Sequence, residues 1–167
     1  MSGTIRIRPA VEGDVGQILT FIRELAVYER LADRVTANEQ DLRKFLFGPR
    51  AYAESIIAEL DGKPAGFALF FHNFSTFLAR PGIYLEDLYV RESSRGHGVG
   101  LALLTCIAQI GVERGCARVD WAVLDWNTPA IEFYERIGAR PESDWKIYRL
   151  AGDALAALAR RPLTNPK

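Results

Sequence analysis

Apolar and polar positions follow two different periods along this chain, and together they predict a mixture of helices and strands. Apolar residues that recur every three to four positions indicate amphipathic helices. These helices are predicted over residues 15–26, 38–47, 98–115, 127–137 and 153–160. Alternating or continuously apolar runs bounded by turn residues indicate strands. The strands are predicted over residues 5–8, 53–60, 65–71, 83–90, 119–124 and 145–150.

Turn and cap residues divide these elements. Asp61-Gly62 is a tight-turn pair and predicts a hairpin, whereas the stretch from Asn73 to Gly82 predicts a loop. Asn38 and Asn127 are placed to cap the second and fourth helices. No repeat, linker or low-complexity block interrupts the pattern, so we expect one mixed α/β domain over residues 1–167.

Composition narrows the classes of function. Apolar residues make up 49% and charged residues 25% of the chain, as in a globular protein. Lys plus Arg (21) balances Asp plus Glu (21), which argues against a nucleic-acid partner. No apolar run approaches the roughly 18 residues of a membrane span. Residues 1–6 lack the apolar core of a signal peptide, so we expect a cytoplasmic protein with no membrane partner.

The thiol and imidazole side chains do not form a metal-binding pattern. Cys106 and Cys116 make no CxxC pair and are expected to be reduced thiols. His72 and His97 are far apart in the sequence and have no obvious ligand companions. We therefore expect no metal.

Two adjacent carboxylates interrupt the apolar strand predicted at 83–90. Glu86 and Asp87 conflict with a central strand, and such local conflicts tend to mark functional sites. In a regular strand neighbouring side chains point to opposite faces, so at most one of the two faces a given ligand. A β-bulge would reverse which one.

A glycine-rich loop before the third helix carries the strongest chemical signal. Its residues are Arg95, Gly96, His97, Gly98, Val99 and Gly100. Glycines allow a ligand to approach the backbone, and the following helix offers unpaired N–H groups and a positive dipole end to a pyrophosphate. Arg95 adds a charge-assisted phosphate contact.

Three kinds of phosphate-binding loop have glycine-rich motifs similar to this one. A P-loop needs Gly-Lys-Ser/Thr at its end, and a dinucleotide fingerprint needs a third glycine where Leu101 stands. An acyl-CoA loop of the form Q/R-x-x-G-x-G/A is matched by Arg95, Gly98 and Gly100. A turn without any ligand is the structural alternative.

The motifs resemble those of a known family. Val90 to Gly100, the helix and strand that follow, Asn127 and Tyr134 resemble the acetyl-CoA-binding core of GCN5-related N-acetyltransferases (GNAT). A narrower resemblance is to the spermidine/spermine (diamine) N-acetyltransferase family. It rests on residues 5–10, 24–29, 84–87 and 122–127, the last run being most similar to the thialysine-acetylating branch.

The resemblance implies a GNAT fold, in which a central mixed, mostly antiparallel twisted sheet is flanked by helices and splayed at the acetyl-CoA site. It also implies direct acetyl transfer from acetyl-CoA to a small primary amine (a polyamine, diamine or thialysine-like amino acid) within a ternary complex, by a homodimer. An acetyltransferase for an amino acid or a protein N-terminus, and a non-catalytic acyl-CoA-binding module, remain alternatives.

The same resemblance assigns roles to individual residues. Glu86 would bind the amine and remove its proton, and Tyr134 would protonate the departing thiolate. The cofactor would contact the backbone of Leu88, Tyr89 and Val90, the loop residues Arg95, Gly96, His97, Gly98, Val99 and Gly100, and Asn127. The amine pocket would be lined by Tyr28, Glu29, Glu86 and Trp145. Each residue also has an ordinary structural role as an alternative: an ion pair for Glu86, an exposed charge for Glu29, a core aromatic for Tyr134 and a solvent-facing loop position for His97.

Overall fold

The computed structural model describes residues 3–162, which form two compact units that meet between residues 124 and 125. The elements of the first unit are β1 (Ile5–Pro9), α1 (Val15–Tyr28), α2 (Glu39–Phe47), β2 (Glu54–Leu60), β3 (Lys63–Ser75), β4 (Arg80–Val90), α3 (Val99–Glu113) and β5 (Val119–Trp121). The second unit contains α4 (Thr128–Arg136) and α5 (Gly152–Ala159). Within residues 3–162, none of the helices has both the length and the apolar character to cross a bilayer.

The strands of the first unit form one five-stranded sheet in the order β1-β2-β3-β4-β5. Neighbouring strands from β1 to β4 are antiparallel, and β5 alone runs parallel to β4. The predicted mixed, mostly antiparallel sheet with flanking helices is therefore confirmed. The sharp β2–β3 turn is also as predicted, since Asp61 and Gly62 both have positive φ (50° and 76°), the conformation that a two-residue hairpin turn requires.

An aromatic cluster fixes α1 against one face of the sheet. Phe21 of α1 stacks on Phe67 of β3 with ring centroids 5.4 Å apart, and Tyr89 of β4 lies 6.2 Å from Phe21. Ile18 and Ile57 complete the buried part of this cluster. The predicted apolar stripe of α1 is thus its core face, and it holds the second half of β4 in place.

The apolar side of α3 packs on the sheet. Its buried residues are Val99, Leu103, Leu104, Ile107 and Gly111. Gly111 lies against Ile83 of β4, because a Cβ at this glycine would stand 3.5 Å from the Ile83 Cδ1 atom, an ordinary van der Waals distance. Strand β4 therefore lies between two packed layers, with α1 on one face and α3 on the other.

Two predicted elements were wrong. The segment 73–82 was predicted as a loop, but Phe74 pairs with Pro81 and Ser75 with Arg80, so the β3–β4 hairpin extends through most of it. Cross-strand hydrogen bonds there outweigh the turn preference of the individual residues. Residues 145–150, predicted as a strand, have no regular structure, because no strand in residues 125–162 is available to pair with them.

Candidate functional site

Strand β4 has a partner on both sides only in its first half. Parallel pairing with β5 runs from Ile83 to Leu85 and stops, while pairing with β3 continues to Val90. Within the described part of the chain, residues 86–90 thus form an open sheet edge on the side of β5. The fold that the family resemblance implied has a sheet splayed in this way.

Backbone groups on the open edge can be assigned from the pairing. The Arg91 N–H donates to the Ala65 carbonyl at 2.9 Å, so Arg91 turns its peptide groups toward β3. Because successive residues of a strand direct these groups to opposite sides, Leu88 and Val90 direct theirs to the open edge. Tyr89 turns its backbone toward β3, and its predicted part in cofactor binding stays a prediction.

The glycine-rich loop follows directly and leads into α3. Gly96 and Gly98 have φ of 78° and 85°, a conformation that strains any residue with a side chain. Gly98 occupies the N-cap position of α3, and no side chain caps that end. The first N–H groups of the helix therefore lack helical acceptors, as an anion site requires. His97 is exposed, and its Nδ1 atom lies 2.9 Å from the Arg95 carbonyl oxygen.

Arg95 connects this loop to the open edge and to α1. Its Nε donates to the Val90 carbonyl at 3.1 Å, and its guanidinium lies 4.6 Å from the ring centroid of Tyr28, the last residue of α1. Among the described residues this is the one hydrogen bond that its side chain donates. Since an arginine has five N–H donors, the terminal groups remain for a phosphate.

The two carboxylates of β4 lie at a β-bulge. Asp87 pairs with Leu69 and Leu85 pairs with Phe70, so that Glu86 is the extra residue between them. Glu86 is exposed, whereas Asp87 is half-buried. The sequence had predicted that a bulge would reverse the faces of the pair, and the register shift occurs at this position.

The bulge turns Asp87 toward α1. Tyr89, which packs against Phe21 of α1 opposite Phe67, is two residues from Asp87 and shares its face of the sheet. In a regular strand Asp87 would instead have shared the face of Leu85, under α3. A half-buried carboxyl at the end of α1 results from this one extra residue.

The electrostatic environment of Asp87 is unusual for a carboxyl group. Burial, followed by the charges of Glu86 and then Glu29, raises the pKa of Asp87 to about 7. Burial also raises the pKa of Glu29, the residue that follows α1. Glu86 and Glu29 thus both act on Asp87, and we call these three carboxylates the acidic cluster. The sequence prediction had assigned a role only to Glu29 and Glu86.

Three predicted site residues belong to the second unit. Asn127 is buried and precedes α4, and its carbonyl accepts the N–H groups of Ala130 and Ile131; its side chain makes no capping bond. The Tyr134 ring is half-buried and lies 5.5 Å from that of Phe133. Trp145 is 75% exposed. Their predicted roles stay predictions.

Comparisons with known proteins agree with the motifs. The sequence profile of the acetyltransferase (GNAT) family matches residues 11–139. The chain is 38% identical to the thialysine N-epsilon-acetyltransferase of Sus scrofa, over 93% of this chain and 98% of that protein. It is 34% identical to the L-ornithine N5-acetyltransferase NATA1 of Arabidopsis thaliana, over 92% and 87% of the two chains. A solved integron cassette protein from the mobile metagenome of V. cholerae matches with a TM-score of 0.79 and 30% identity, over 96% and 99%.

Replacing Asp87 is expected to change the pH dependence of stability. Its pKa is about 7 in the folded chain against the usual 3.8, so the folded state holds a proton that the unfolded state loses between these pH values. Stability therefore falls as pH rises through this window, by about 4 kcal/mol at most. Asp87→Asn removes this loss. We expect a higher urea midpoint than wild type at pH 8 and nearly the same midpoint at pH 4.

Glu86→Gln is the matched control for the stability measurement, because Glu86 is the exposed neighbour on the same bulge. Its urea midpoint should stay near that of wild type at pH 4 and rise at pH 8 by less than that of Asp87→Asn, because it removes only the Glu86 charge that acts on Asp87. An Asp87→Asn variant that is equally stabilised, or destabilised, at both pH values would contradict the assigned pKa.

Removing the Arg95 side chain is expected to weaken acetyl-CoA binding. A charge-assisted hydrogen bond contributes about 1.5–3 kcal/mol, so Arg95→Ala should raise the Kd by roughly 10- to 100-fold in isothermal titration calorimetry. Arg95→Lys should have an intermediate effect, because a lysine keeps the charge but lacks the planar fork. Arg23→Ala, on the exposed side of α1, serves as the control. An unchanged Kd for Arg95→Ala would rule out the phosphate contact.

Proposed function

This chain belongs to the acetyltransferase (GNAT) family, and we propose that it acetylates the primary amine of a small molecule, namely a polyamine, a diamine or a thialysine-like amino acid. It is an N-acetyltransferase that takes its acetyl group from acetyl-CoA. The predicted resemblance to the diamine N-acetyltransferases is confirmed. The family and the named activities of the relatives favour this enzyme over a non-catalytic acyl-CoA-binding module.

One observation carries the choice of a small cationic amine: the acidic cluster of Glu29, Glu86 and Asp87 lies where the open edge of β4 begins. A primary ammonium has a pKa near 10 and arrives charged, so a cluster of carboxylates favours its binding. The names of two relatives place the acetyl group on the ε nitrogen of thialysine and on N5 of ornithine. Both acceptors carry such an amine.

The residues along the open edge fit acetyl-CoA as the acetyl donor. Leu88 and Val90 direct backbone groups toward the pantetheine arm, and the loop from Arg95 to Gly100 offers N–H groups and a guanidinium to the pyrophosphate. When bound, acetyl-CoA supplies an acyl group that is activated as a thioester. The Val90 carbonyl accepts one hydrogen bond from Arg95, and its second lone pair remains for an amide N–H of the pantetheine.

Glu86 and the residues at the end of α1 bind the amine. Glu86 projects from the bulge and is exposed, which supports its predicted role as the anchor of the ammonium group. Glu29 adds a second negative charge, and Tyr28 an aromatic surface for the methylene chain. The assignment of Trp145 to the amine pocket rests on the family resemblance alone.

The remaining roles follow from residue-by-residue resemblance. Tyr134 donates a proton to the thiolate that leaves after the amine attacks, and Asn127 contacts the cofactor. The homodimer also comes from the resemblance. The cytoplasmic location rests on composition and on Cys106 and Cys116, which are free thiols in the structure. An amino acid or a protein N-terminus remains the second class of acceptor, because thialysine and ornithine are themselves amino acids.

The proposed function predicts CoA release that depends on the amine. The purified protein with acetyl-CoA and, in turn, spermidine, putrescine, thialysine, ornithine, lysine or an N-terminal peptide should give free thiol with small primary amines, as measured with a thiol reagent. CoA release with the N-terminal peptide, but with none of the small amines, would identify the acceptor as a protein N-terminus. Acetyl-CoA binding without release for any of these acceptors would contradict the proposal.

Replacing the hydroxyl of Tyr134 is expected to slow turnover without affecting cofactor binding. A general acid typically contributes 10²- to 10⁴-fold, so Tyr134→Phe should lower kcat by about 100-fold or more. The Kd for CoA, measured by calorimetry, should stay within about twofold of wild type. Phe133→Leu, at the neighbouring ring, controls for aromatic packing. A Tyr134→Phe enzyme with the wild-type kcat would reject the proton-donor role.

A further inference from the structure

We propose that Asp87, rather than Glu86, accepts the proton that the substrate ammonium loses before it attacks the acetyl group. This inference rests on the proposed function and assigns one step of it to a different residue. The two adjacent carboxylates then have different roles: Glu86 binds the substrate ammonium, and Asp87 removes its proton.

The bulge separates the two side chains in the way that these two roles require. Glu86 is the unpaired, exposed residue and is free to meet a ligand from solvent. Asp87, the next residue, pairs with Leu69 and is half-buried on the α1 face of the sheet. A binding carboxylate gains from access to water, whereas a proton acceptor gains from partial burial, because desolvation makes a carboxylate more basic.

Asp87 also lies beside the groups that would hold the acetyl carbonyl. The last residue of β4 that pairs with β5 is Leu85, so Asp87 lies within the first residues of the open edge. Leu88 follows it directly and directs its backbone N–H to that edge. An amine that attacks a carbonyl held by Leu88 therefore approaches next to Asp87.

The charges around Asp87 are all negative. Those that act on it are Glu86 on its own strand and Glu29 at the end of α1, while β3 contributes the apolar Leu69. Both charges therefore favour the protonated form of Asp87.

This environment makes proton transfer from an ammonium group much easier. With a lysine-like amine, transfer to an ordinary carboxylate is unfavourable by roughly a factor of 10⁶. With the pKa of Asp87 near 7, the factor falls to roughly 10³. Near neutral pH about half of the Asp87 groups are still ionised, so the acceptor form is available when the substrate arrives.

The proton balance of the reaction is as follows. The ammonium gives one proton to an Oδ atom of Asp87, and the freed nitrogen lone pair forms the N–C bond to the acetyl carbon while the C–S bond breaks. Tyr134 donates its hydroxyl proton to the departing thiolate. The nitrogen then loses a second proton, and this proton restores the Tyr134 hydroxyl. Asp87 returns its proton to solvent, which leaves an amide, CoA thiol and one released proton.

The test is the pH profile of kcat with the best amine of the panel at saturation, because kcat reports groups in the enzyme–substrate complex. For wild type we expect kcat to fall at acid pH with the loss of one ionisation, at a pH below 7 because the bound ammonium favours the ionised carboxylate. Asp87→Asn should lower kcat by about 100-fold or more and abolish this fall of kcat at acid pH, which we call the acid limb of the profile. Asp87→Glu should restore part of the rate. Glu86→Gln should mainly raise KM for the amine and keep the limb.

A second acceptor separates proton transfer from structural damage. Methoxyamine is unprotonated at neutral pH and needs no acceptor before it attacks. With methoxyamine at high concentration, the kcat of Asp87→Asn should be less than about tenfold below that of wild type. Equal defects with both amines would assign Asp87 a structural role and overturn the inference.

The outcomes distinguish this inference from the proposed function. If wild type transfers acetyl to an amine while Asp87→Asn keeps its rate and pH limb, only the assignment of Asp87 fails. Loss of the limb in Glu86→Gln but not in Asp87→Asn would return the role to Glu86. A wild type that releases CoA with none of the amines overturns the proposed function itself.

Discussion

The site depends on one constraint, which is that β4 pairs with β5 for only three residues. A strand between two neighbours has all its peptide groups satisfied and offers nothing to a ligand. By losing β5 after Leu85, β4 keeps one hydrogen-bonded side through β3 and opens the other. Because α1 and α3 pack against opposite faces of the sheet, the strand stays in place although no strand among residues 3–162 pairs with the second half of this edge. An extended ligand can therefore add to the sheet at a defined position.

The bulge at Glu86 belongs to the same region and solves a second problem. An amine acetyltransferase needs one carboxylate that meets a cation and one basic group that removes its proton, and two adjacent residues of a regular strand would face opposite sides. The extra residue places Asp87 on the α1 face, beside Glu29, while Glu86 projects outward. Partial burial and the neighbouring negative charges then raise the pKa of Asp87.

The parts of the fold that sequence patterns predicted are those set by local rules. The spacing of apolar residues predicted α1 and α3 and the faces that they turn to the core. The other two predicted features are the Asn38 cap of α2, which accepts from the Asp41 N–H, and the Asp61-Gly62 hairpin turn. The glycine-rich loop was located because glycine is the residue that adopts positive φ without strain. Each of these features is determined by residues within one or two turns of chain.

The features that the sequence could not settle depend on pairing between distant segments. Polar and turn-forming residues at 73–82 predicted a loop, yet cross-strand bonds carry the hairpin through them. The bulge is likewise a property of the β3–β4 register, and both registers suit the apolar sequence of β4. A shift of one residue there exchanges the faces of Glu86 and Asp87. For this reason the sequence identified the carboxylate pair, but the choice of proton acceptor within it requires the register that the structure supplies.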